Sequence, residues 1–183
     1  IEYPDELFDH FSIPAFDSGE KPIAEQGGGI KSSKFVVPEF CVMISKLNPR
    51  IPRVWLPDIS SGRRGIASTE FLVLKPNDGW SRSYIYSQLN QGKFLGDMAQ
   101  EATGTSNSHQ RIKPKDFVQT QIVIPPESIR KAFNAIAEPF FNLVQEGRHE
   151  SSKLAQIRDY LLPKLLTGAL RVDQSERFAE ESM

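Results

Sequence analysis

The sequence predicts an α+β protein in which a small, curled mixed β-sheet domain with short helices is followed by one long α-helix. Two observations predict this fold. Between Lys34 and Pro126, short segments rich in β-branched and aromatic residues alternate with prolines and glycines, which is typical of short strands in a curled sheet. From Ile129 onwards, apolar residues recur at alternating spacings of four and three, which is the pattern of a helix that packs against another helix.

Residues 1–30 are expected to form loops and short extended pieces. Pro4, Pro14, Pro22 and the glycine run at 27–29 interrupt any long element there. The glycine run does not fit a phosphate-binding loop, because no strand precedes it and no Lys-Ser/Thr helix start follows it. We therefore interpret it as a turn before a strand.

Short strands are predicted where β-branched and aromatic residues cluster between prolines or turn sequences. They are residues 35–37, 41–45, 53–56, 71–74 and 121–124. The single cysteine, Cys41, lies between Phe40 and Val42, so we expect a small buried side chain and not a reactive nucleophile. One cysteine also excludes a disulfide scaffold.

Two helices are predicted inside the sheet domain. Ser81 can cap a helix that runs to about Asn90, and a second helix is expected over residues 93–102. The polar loop at 104–111 follows. Its hydroxyl, amide, imidazole and guanidinium groups can hydrogen-bond base edges or phosphates, or they can merely cap backbone amides at a turn.

The longest uninterrupted pattern covers residues 126–168, and one helix of that length would extend about 60 Å at ~1.5 Å per residue. Its stripe, which should face another helix, comprises Phe133, Ile136, Phe140, Leu143, Leu154, Ile157 and Leu161. Gly147 and Glu150 interrupt the stripe in its middle. The alternative is a pair of ordinary core helices separated at Pro139, because an interior proline removes a hydrogen bond. The uninterrupted heptad phase across Pro139 favours one helix.

The formal net charge of −1 conceals an uneven distribution. Residues 1–30 carry seven acidic side chains and one lysine, whereas residues 31–126 carry thirteen basic and seven acidic side chains. A polyanion such as nucleic acid would therefore be expected to bind the middle of the chain. A solvated basic surface without a partner would show the same excess, so charge alone does not decide between them.

No catalytic site is predicted. Asp58 and Glu70 suggest a metal-dependent nuclease, but the lysine expected two residues after the acid is replaced by Leu72. The one cysteine and three scattered histidines do not form a metal-binding pattern, and no cofactor fingerprint is found. The sequence Asn48-Pro49-Arg50-Ile51 is not the Asn-Pro-Pro-aromatic motif of DNA amino-methyltransferases. No apolar run reaches the ~18 residues of a membrane span, and no signal-like start is seen.

Four segments, in this order and spacing, resemble the DNA specificity subunit of type I restriction-modification enzymes. They are residues 42–50, the 104–111 loop, the strand ending at Pro125-Pro126, and residues 158–172 with the run Leu-Leu-Pro-Lys-Leu-Leu-Thr-Gly. The resemblance extends over nearly the whole chain. Members of that family usually contain two target recognition domains, each followed by a long helix. This chain resembles one such half, either the distal half or a naturally half-length subunit.

The resemblance implies a target recognition domain over residues 1–125, a spacer helix over 126–168 and a charged tail over 169–183. It implies that the recognition domain reads one half of a split site in double-stranded DNA, and that two such helices pair as an antiparallel coiled coil. The helices would set the distance between half-sites and dock methyltransferase subunits, which an endonuclease/translocase subunit joins. The resemblance also implies that the protein is cytoplasmic in a prokaryote, catalyses no reaction itself and needs no cofactor. Because a second recognition domain is missing, homodimerisation through the helix is expected.

Candidate DNA contacts come from the basic middle of the chain. The expected phosphate contacts are Lys46, Arg50, Arg53, Arg63, Arg64 and Arg82, the Arg63-Arg64 pair lying on an expected mobile glycine-flanked loop. Base readout is expected from Asn48, Ser106, Ser108, His109 and Arg111. The alternative function is a protein-protein adaptor that binds no DNA and assembles partners through its helix.

Overall fold

Seven short strands in two sheets precede the long helix in the computed structural model, which describes residues 3–59, 61–77, 79–103 and 110–170. In chain order they are β1 (Leu7–Phe11), β2 (Ile23–Gln26), β3 (Lys34–Val37), β4 (Val42–Ser45), β5 (Val54–Trp55), β6 (Gly65–Ser68) and β7 (Phe71–Leu74). The first sheet has the order β2-β1-β6-β3, with β1 and β6 parallel and the other pairs antiparallel. The second has the antiparallel order β5-β4-β7.

One apolar core joins the two sheets. The Trp55 ring of β5 lies at the centre, with ring centroids 4.9 Å from Phe11 of β1 and 6.0 Å from Phe71 of β7. The same core contains Ala67 of β6, from the first sheet, and Met43 of β4, from the second sheet. Both residues are fully buried. Each large apolar side chain buried in this way stabilises the fold by roughly 1.5–3 kcal/mol, so the strands are held by packing and not by their short hydrogen-bond ladders.

Four short helices and one long helix complete the described chain. They are α1 (Ile13–Asp17), α2 (Arg82–Leu89), α3 (Gly92–Glu101), α4 (Pro114–Gln119) and α5 (Glu127–Leu166). Ser81 caps α2 as predicted, since its hydroxyl accepts a hydrogen bond from the Tyr84 amide at 3.0 Å. The predicted mixture of curled sheet, short helices and a long C-terminal helix is confirmed.

The 40-residue helix α5 continues through both Pro139 and Pro163, so the alternative of two short helices split at Pro139 is wrong. The boundary between the two compact units of the chain falls at the first of these prolines, between Glu138 and Pro139. No helix of the described ranges is long and apolar enough to span a membrane.

The predicted strand at 121–124 is not a strand. Its residues have strand propensity, but their backbone lies outside both sheets, and Val123 and Ile124 are exposed. The Val123 carbonyl instead accepts a hydrogen bond from the Tyr84 hydroxyl at 2.7 Å. Strand propensity describes a side chain that suits a pleated surface, so it has no effect where no neighbouring strand is available.

The sequence pattern also missed the strands β1, β2 and β6 and the helices α1 and α4. In β6 the reason is close packing, because a Cβ atom on Gly65 would lie 3.0 Å from the Val37 Cβ. Glycine therefore fits at this position of the strand, where a larger side chain would not. The glycine run at Gly27–Gly29 forms a short 3₁₀ turn before β3, and a Cβ atom on Gly27 would lie 1.9 Å from the Tyr3 carbonyl oxygen.

Cys41 is buried in the core immediately before β4, as expected for a small apolar side chain. Burial raises the pKa of the Cys41 thiol to about 11, and the nearby charge of Arg82 offsets this only in part. The thiol is therefore protonated at neutral pH and is a poor nucleophile.

Candidate nucleic-acid interface

Three turns meet beside the end of β4, and we call their combined surface the recognition face. It is formed by residues 46–51, the turn at Glu70, Thr103 and residues 110–112. The Lys46 amide donates to the Glu70 carbonyl at 2.8 Å, and the Ile112 amide donates to the Lys46 carbonyl at 3.1 Å. Backbone hydrogen bonds therefore hold together turns that are far apart in sequence.

Asn48 fixes the shape of the first turn. Its φ of 48° is in the left-handed region, which Asn tolerates better than most residues. Its amide donates to the Gln110 carbonyl at 2.8 Å, and its carbonyl accepts from the Ile51 amide at 2.8 Å. The turn thus presents Lys46, Asn48 and Arg50 from a fixed backbone, with the Arg50 side chain exposed.

Arg111 lies beside Thr103. Their backbones pair through two hydrogen bonds of 3.0 Å. The Arg111 guanidinium donates to the two carboxylate oxygens of Glu70 at 3.0 and 2.9 Å. These hydrogen bonds and the Glu70 charge raise the pKa of Arg111. Sequence reasoning missed this partner, because nothing in the sequence links residues 41 positions apart.

The structure therefore brings together Lys46, Asn48, Arg50 and Arg111 among the predicted DNA contacts. Ser106, Ser108 and His109, which were predicted to read bases, lie outside the described residues. The described residues on either side of this segment in the sequence are Thr103 and Gln110.

Arg53 is not at this face. The residue is buried at 9% exposure, and its guanidinium donates to Asp17 through Nε at 2.7 Å and Nη2 at 2.9 Å. The hydrogen bonds from Arg53 hold the pKa of the Asp17 carboxyl below its usual value. These two hydrogen bonds join the start of β5 to the end of α1. The Arg53 guanidinium is therefore not available to contact a phosphate.

Arg63 and Arg64 lie at the opposite end of β6 from Glu70. Arg63 donates from Nε to the buried carboxylate of Asp9 at 2.6 Å. Arg64 forms an ion pair with Glu6, which lowers the pKa of Glu6 and raises that of Arg64. Acidic residues of the N-terminal segment therefore hold both of the side chains that were expected to contact phosphates.

Arg82 is half-buried at the start of α2. Desolvation lowers the pKa of Arg82, although the neighbouring Cys41, Glu138 and Asp58 oppose that shift. Its environment is the junction of α2 and α5. Thus Arg53, Arg63, Arg64 and Arg82 are each placed among acidic or buried groups, away from the recognition face.

No group of three or more His, Cys, Asp or Glu side chains suited to a metal ion occurs among the residues that the structure describes. The turns of the recognition face carry cationic and amide side chains, which are groups that contact phosphates and base edges in DNA-binding proteins.

The helix α5 provides a second surface. Ile136, Phe140, Leu143, Leu154 and Ile157 of the predicted stripe are exposed, and Leu161 is half-buried. Phe133 differs, because its ring packs edge-on against Tyr84 of α2 with centroids 5.8 Å apart.

No protein-family model matches the chain. Two curated proteins are similar to it. The chain is 32% identical over 91 residues to the type I restriction enzyme MjaIX specificity subunit of Methanocaldococcus jannaschii, a match of 50% of this chain and 20% of that protein. It is 31% identical over 98 residues to the type I restriction enzyme HindI specificity subunit of Haemophilus influenzae, with 52% of this chain and 20% of that protein matched. The resemblance to specificity subunits is confirmed, and each match spans a fifth of the relative's length.

Two solved structures share the fold. A chain of a type I R-M system, solved to explain complex assembly and conformational transition, has a TM-score of 0.62 at 20% identity and matches 92% of this chain and 44% of that one. The HsdS subunit from Thermoanaerobacter tengcongensis has a TM-score of 0.60 at 19% identity, with 86% of this chain and 41% of that one matched. At these identities the likeness concerns the fold.

Proposed function

We propose that this chain supplies DNA sequence specificity to a type I restriction-modification complex, reading one half of a split site without catalysing a reaction itself. The observation that carries the proposal is the similarity to two curated specificity subunits over half of the chain. The likeness in fold to an HsdS subunit supports it over most of the chain's length. We propose residues 1–125 as the recognition domain, 126–168 as the spacer helix and 169–183 as a charged tail.

In this function the recognition face contacts duplex DNA. Lys46 and Arg50 are exposed or half-exposed cations on a rigid turn, and none of the ion pairs within the described residues involves either of them. They are suited to phosphates, which fix register on the duplex. Asn48 and Arg111 are the residue types that pair with adenine and guanine, each worth ~1–3 kcal/mol of discrimination. The loop that carries Ser106, Ser108 and His109 would extend this readout.

The remaining arginines of the sequence prediction receive other roles. Arg53, Arg63 and Arg64 stabilise the recognition domain through Asp17, Asp9 and Glu6. They are omitted from the proposed phosphate contacts, because a cation that already holds a carboxylate releases fewer counterions when DNA binds. Arg82 is omitted because it is half-buried beside α5.

The exposed stripe of α5 is the proposed pairing surface with a second helix, as an antiparallel coiled coil. We propose that the partner helix belongs to a second copy of this chain, in a homodimer that carries two half-site readers. The paired helices would hold the methyltransferase subunits, and the endonuclease/translocase subunit would join that assembly. An unpaired stripe of this kind would be an aggregation hazard.

The decisive experiment is to sequence modified DNA in cells that carry this chain together with its methyltransferase subunit. The proposal expects methylation at one split sequence that disappears when the chain is deleted. A strain with the methyltransferase subunit alone is the control. Methylation that is unchanged without the chain would contradict the proposal.

A second function, a protein-protein adaptor, is favoured by the exposed stripe alone, because a helix can assemble partners without DNA. A gel shift with random duplex DNA at low salt separates the two functions. A DNA reader binds any duplex under those conditions through phosphates, with a steep dependence on salt. Absence of binding at low salt would favour the adaptor.

A further inference from the structure

A cleft of about 490 Å³ lies on the outer face of the first sheet, and we call it the sheet cleft. Phe8 of β1 and Ile66 of β6 line its sheet side. Alternate side chains of a strand point to opposite faces, so these two residues face away from Phe11 and Ala67, which belong to the apolar core. The remainder of the sheet cleft is lined by Tyr3, Gly27 and residues 30–34.

One wall of the sheet cleft is the connection between β2 and β3. These are the two edge strands of the first sheet, so residues 27–33 have to pass across β1 and β6. The start of the connection is fixed, because the Gly27 amide donates to the Glu6 carbonyl at 2.8 Å and the Gly28 amide donates to the Pro4 carbonyl at 2.7 Å. Its end is fixed by the pairing of β3 with β6. The side chains of this wall are therefore presented from a defined backbone.

The wall carries two lysines and two serines, at residues 31–34. Lys31 is exposed, and no ion pair within the described residues involves Lys31 or Lys34. The Lys34 ammonium donates to the Ser32 hydroxyl at 2.6 Å and to the Ser32 carbonyl at 3.3 Å. An ammonium group has three donors, so this arrangement holds the charge over the turn and leaves one donor for a ligand.

Carboxylates beside the sheet cleft are paired with other side chains. Glu25 is the cross-strand partner of Phe8, and its Oε2 lies 2.6 Å from the His10 Nδ1. Glu6 forms an ion pair with Arg64, whose guanidinium lies 5.0 Å from the Phe8 ring centroid. The positive charge of the two lysines is therefore not neutralised by these acids. A cleft with apolar walls and charges of one sign concentrates its electric field, so the ligand it favours is an anion.

The sheet cleft adjoins the recognition face through the turn between β6 and β7. Lys34 is the cross-strand partner of Ser68, and the Ser68 Oγ accepts a hydrogen bond from the Glu70 amide at 3.3 Å. Glu70 in turn holds the guanidinium of Arg111. A continuous series of neighbours therefore leads from the cleft to the recognition face.

The two surfaces are close enough to contact one duplex. A cross-strand neighbour lies about 5 Å away, and two residues of chain extend at most ~7 Å, so the backbone of Lys34 lies within roughly 12 Å of that of Glu70. The major groove of B-DNA is also about 12 Å wide. A duplex bound at the recognition face can therefore place its backbone against the sheet cleft, where lysine and serine side chains are groups that contact phosphates.

We infer that residues 31–34 form a second phosphate anchor, which contacts the DNA backbone beside the bases that the recognition face reads. The inference rests on the proposed function and adds Lys31 and Lys34 to its phosphate contacts. Phosphate contacts fix the position of a protein on the duplex but carry no base information. Loss of the anchor should therefore weaken binding to every sequence by the same factor and leave the methylated sequence in cells unchanged.

The salt dependence of DNA binding tests the anchor. Fluorescence anisotropy of the full chain with a random duplex, over about 50 to 200 mM salt, gives the log-log slope. Lys31→Gln and Lys34→Gln should each reduce this slope by about 0.9, and the double variant by about 1.8. Lys31→Arg keeps the charge and should retain the wild-type slope. Lys75→Gln is the matched control, because it removes an exposed lysine at the other end of β7 from Glu70, and it should leave the slope unchanged.

Three outcomes would overturn the inference while the proposed function stands. The first is an unchanged slope in the double variant, with circular dichroism showing that it is folded. The second is an equal reduction in Lys75→Gln, which would make the effect one of net charge. The third is binding of adenosine monophosphate that the double variant loses in calorimetry without a change in the DNA slope, which would make the sheet cleft a site for a free nucleotide. A wild-type chain that binds no duplex at low salt would instead overturn the proposed function together with the anchor.

Discussion

The guanidinium of Arg111 donates to both carboxylate oxygens of Glu70, from Nε at 3.0 Å and from Nη2 at 2.9 Å. The pair is half-exposed, with 51% of the Arg111 side chain accessible and 28% of that of Glu70. An exposed pair of this kind contributes little to stability. Its importance in the proposed function is to hold one guanidinium in a fixed orientation on the recognition face.

Glu70→Gln is expected to raise affinity for random duplex DNA and to lower discrimination between sequences. The substitution removes a negative charge from the recognition face and frees Arg111 for a phosphate. One added phosphate contact steepens the log-log salt slope by about 0.9. Binding is measured by fluorescence anisotropy across a salt series on cognate and random duplexes. Arg111→Ala should also lower discrimination, and equal weakening on all sequences would identify Arg111 as a phosphate contact.

Arg50→Ala and Lys46→Ala are each expected to reduce the salt slope by about 0.9, because each removes one cation from the recognition face. Arg64→Ala is the matched control. It removes the same charge as Arg50→Ala, but from a side chain that is paired with Glu6 and stacked over the Tyr3 ring at 4.2 Å. If Arg64→Ala reduced the salt slope as much as Arg50→Ala does, the DNA-contacting surface would have to lie at the other end of β6.

Asp17→Asn is expected to destabilise the N-terminal compact unit at pH 7 by roughly 1–3 kcal/mol, because it weakens the hydrogen bonds of the buried Arg53. The lower part of that range applies, since 47% of the Asp17 side chain is exposed. The folded-state pKa of Asp17 lies below its ordinary value of 3.8, so its stabilisation is present above that pH and is lost as pH falls through the folded value.

Urea unfolding at pH 7 and near pH 3 measures this difference. The wild type and Asp17→Asn should differ at pH 7 and approach each other in acid. Asp5→Asn, a change of the same kind at an exposed residue, should have no comparable effect at either pH. A gap that stays constant with pH would mean that packing, and not the charge of Asp17, is responsible.

The long helix and the capped α2 could be predicted because their signals are local. A serine before a helical pattern and a heptad stripe both act within a few residues, and the structure confirms both at Ser81 and in α5. Strand β6 could not be predicted, because Gly65 is required by the approach of Val37 from a distant strand. The prediction of a strand at 121–124 was wrong for the same reason, since strand formation depends on a neighbouring strand that the local sequence does not specify.

The recognition face shows the same limit. Lys46, Asn48, Arg50 and Arg111 could be proposed from their chemistry, but their convergence depends on backbone hydrogen bonds between distant turns. A count of charges along the sequence gives every arginine the same weight. It therefore does not distinguish the exposed Arg50 from Arg53, which lies three residues away and is buried against Asp17.

Leu143→Glu is expected to convert a dimer into a monomer, because it places a charge in the proposed contact between two α5 helices. Val144→Glu is the matched control, since it introduces the same charge one residue later on a different side of the helix, and the two wild-type side chains are 64% and 51% exposed. Light scattering over a range of concentrations measures the mass of each protein. The wild type and Val144→Glu should form dimers, while Leu143→Glu stays monomeric. Circular dichroism should show the same helix content in all three at concentrations where the dimer forms, since α5 is one helix in the single chain.

Two outcomes would contradict the proposed pairing. A wild-type protein that is monomeric at high concentration would show that the stripe does not pair two copies of the chain. An equal loss of mass in both variants would show that any added charge on α5, and not the stripe, governs association.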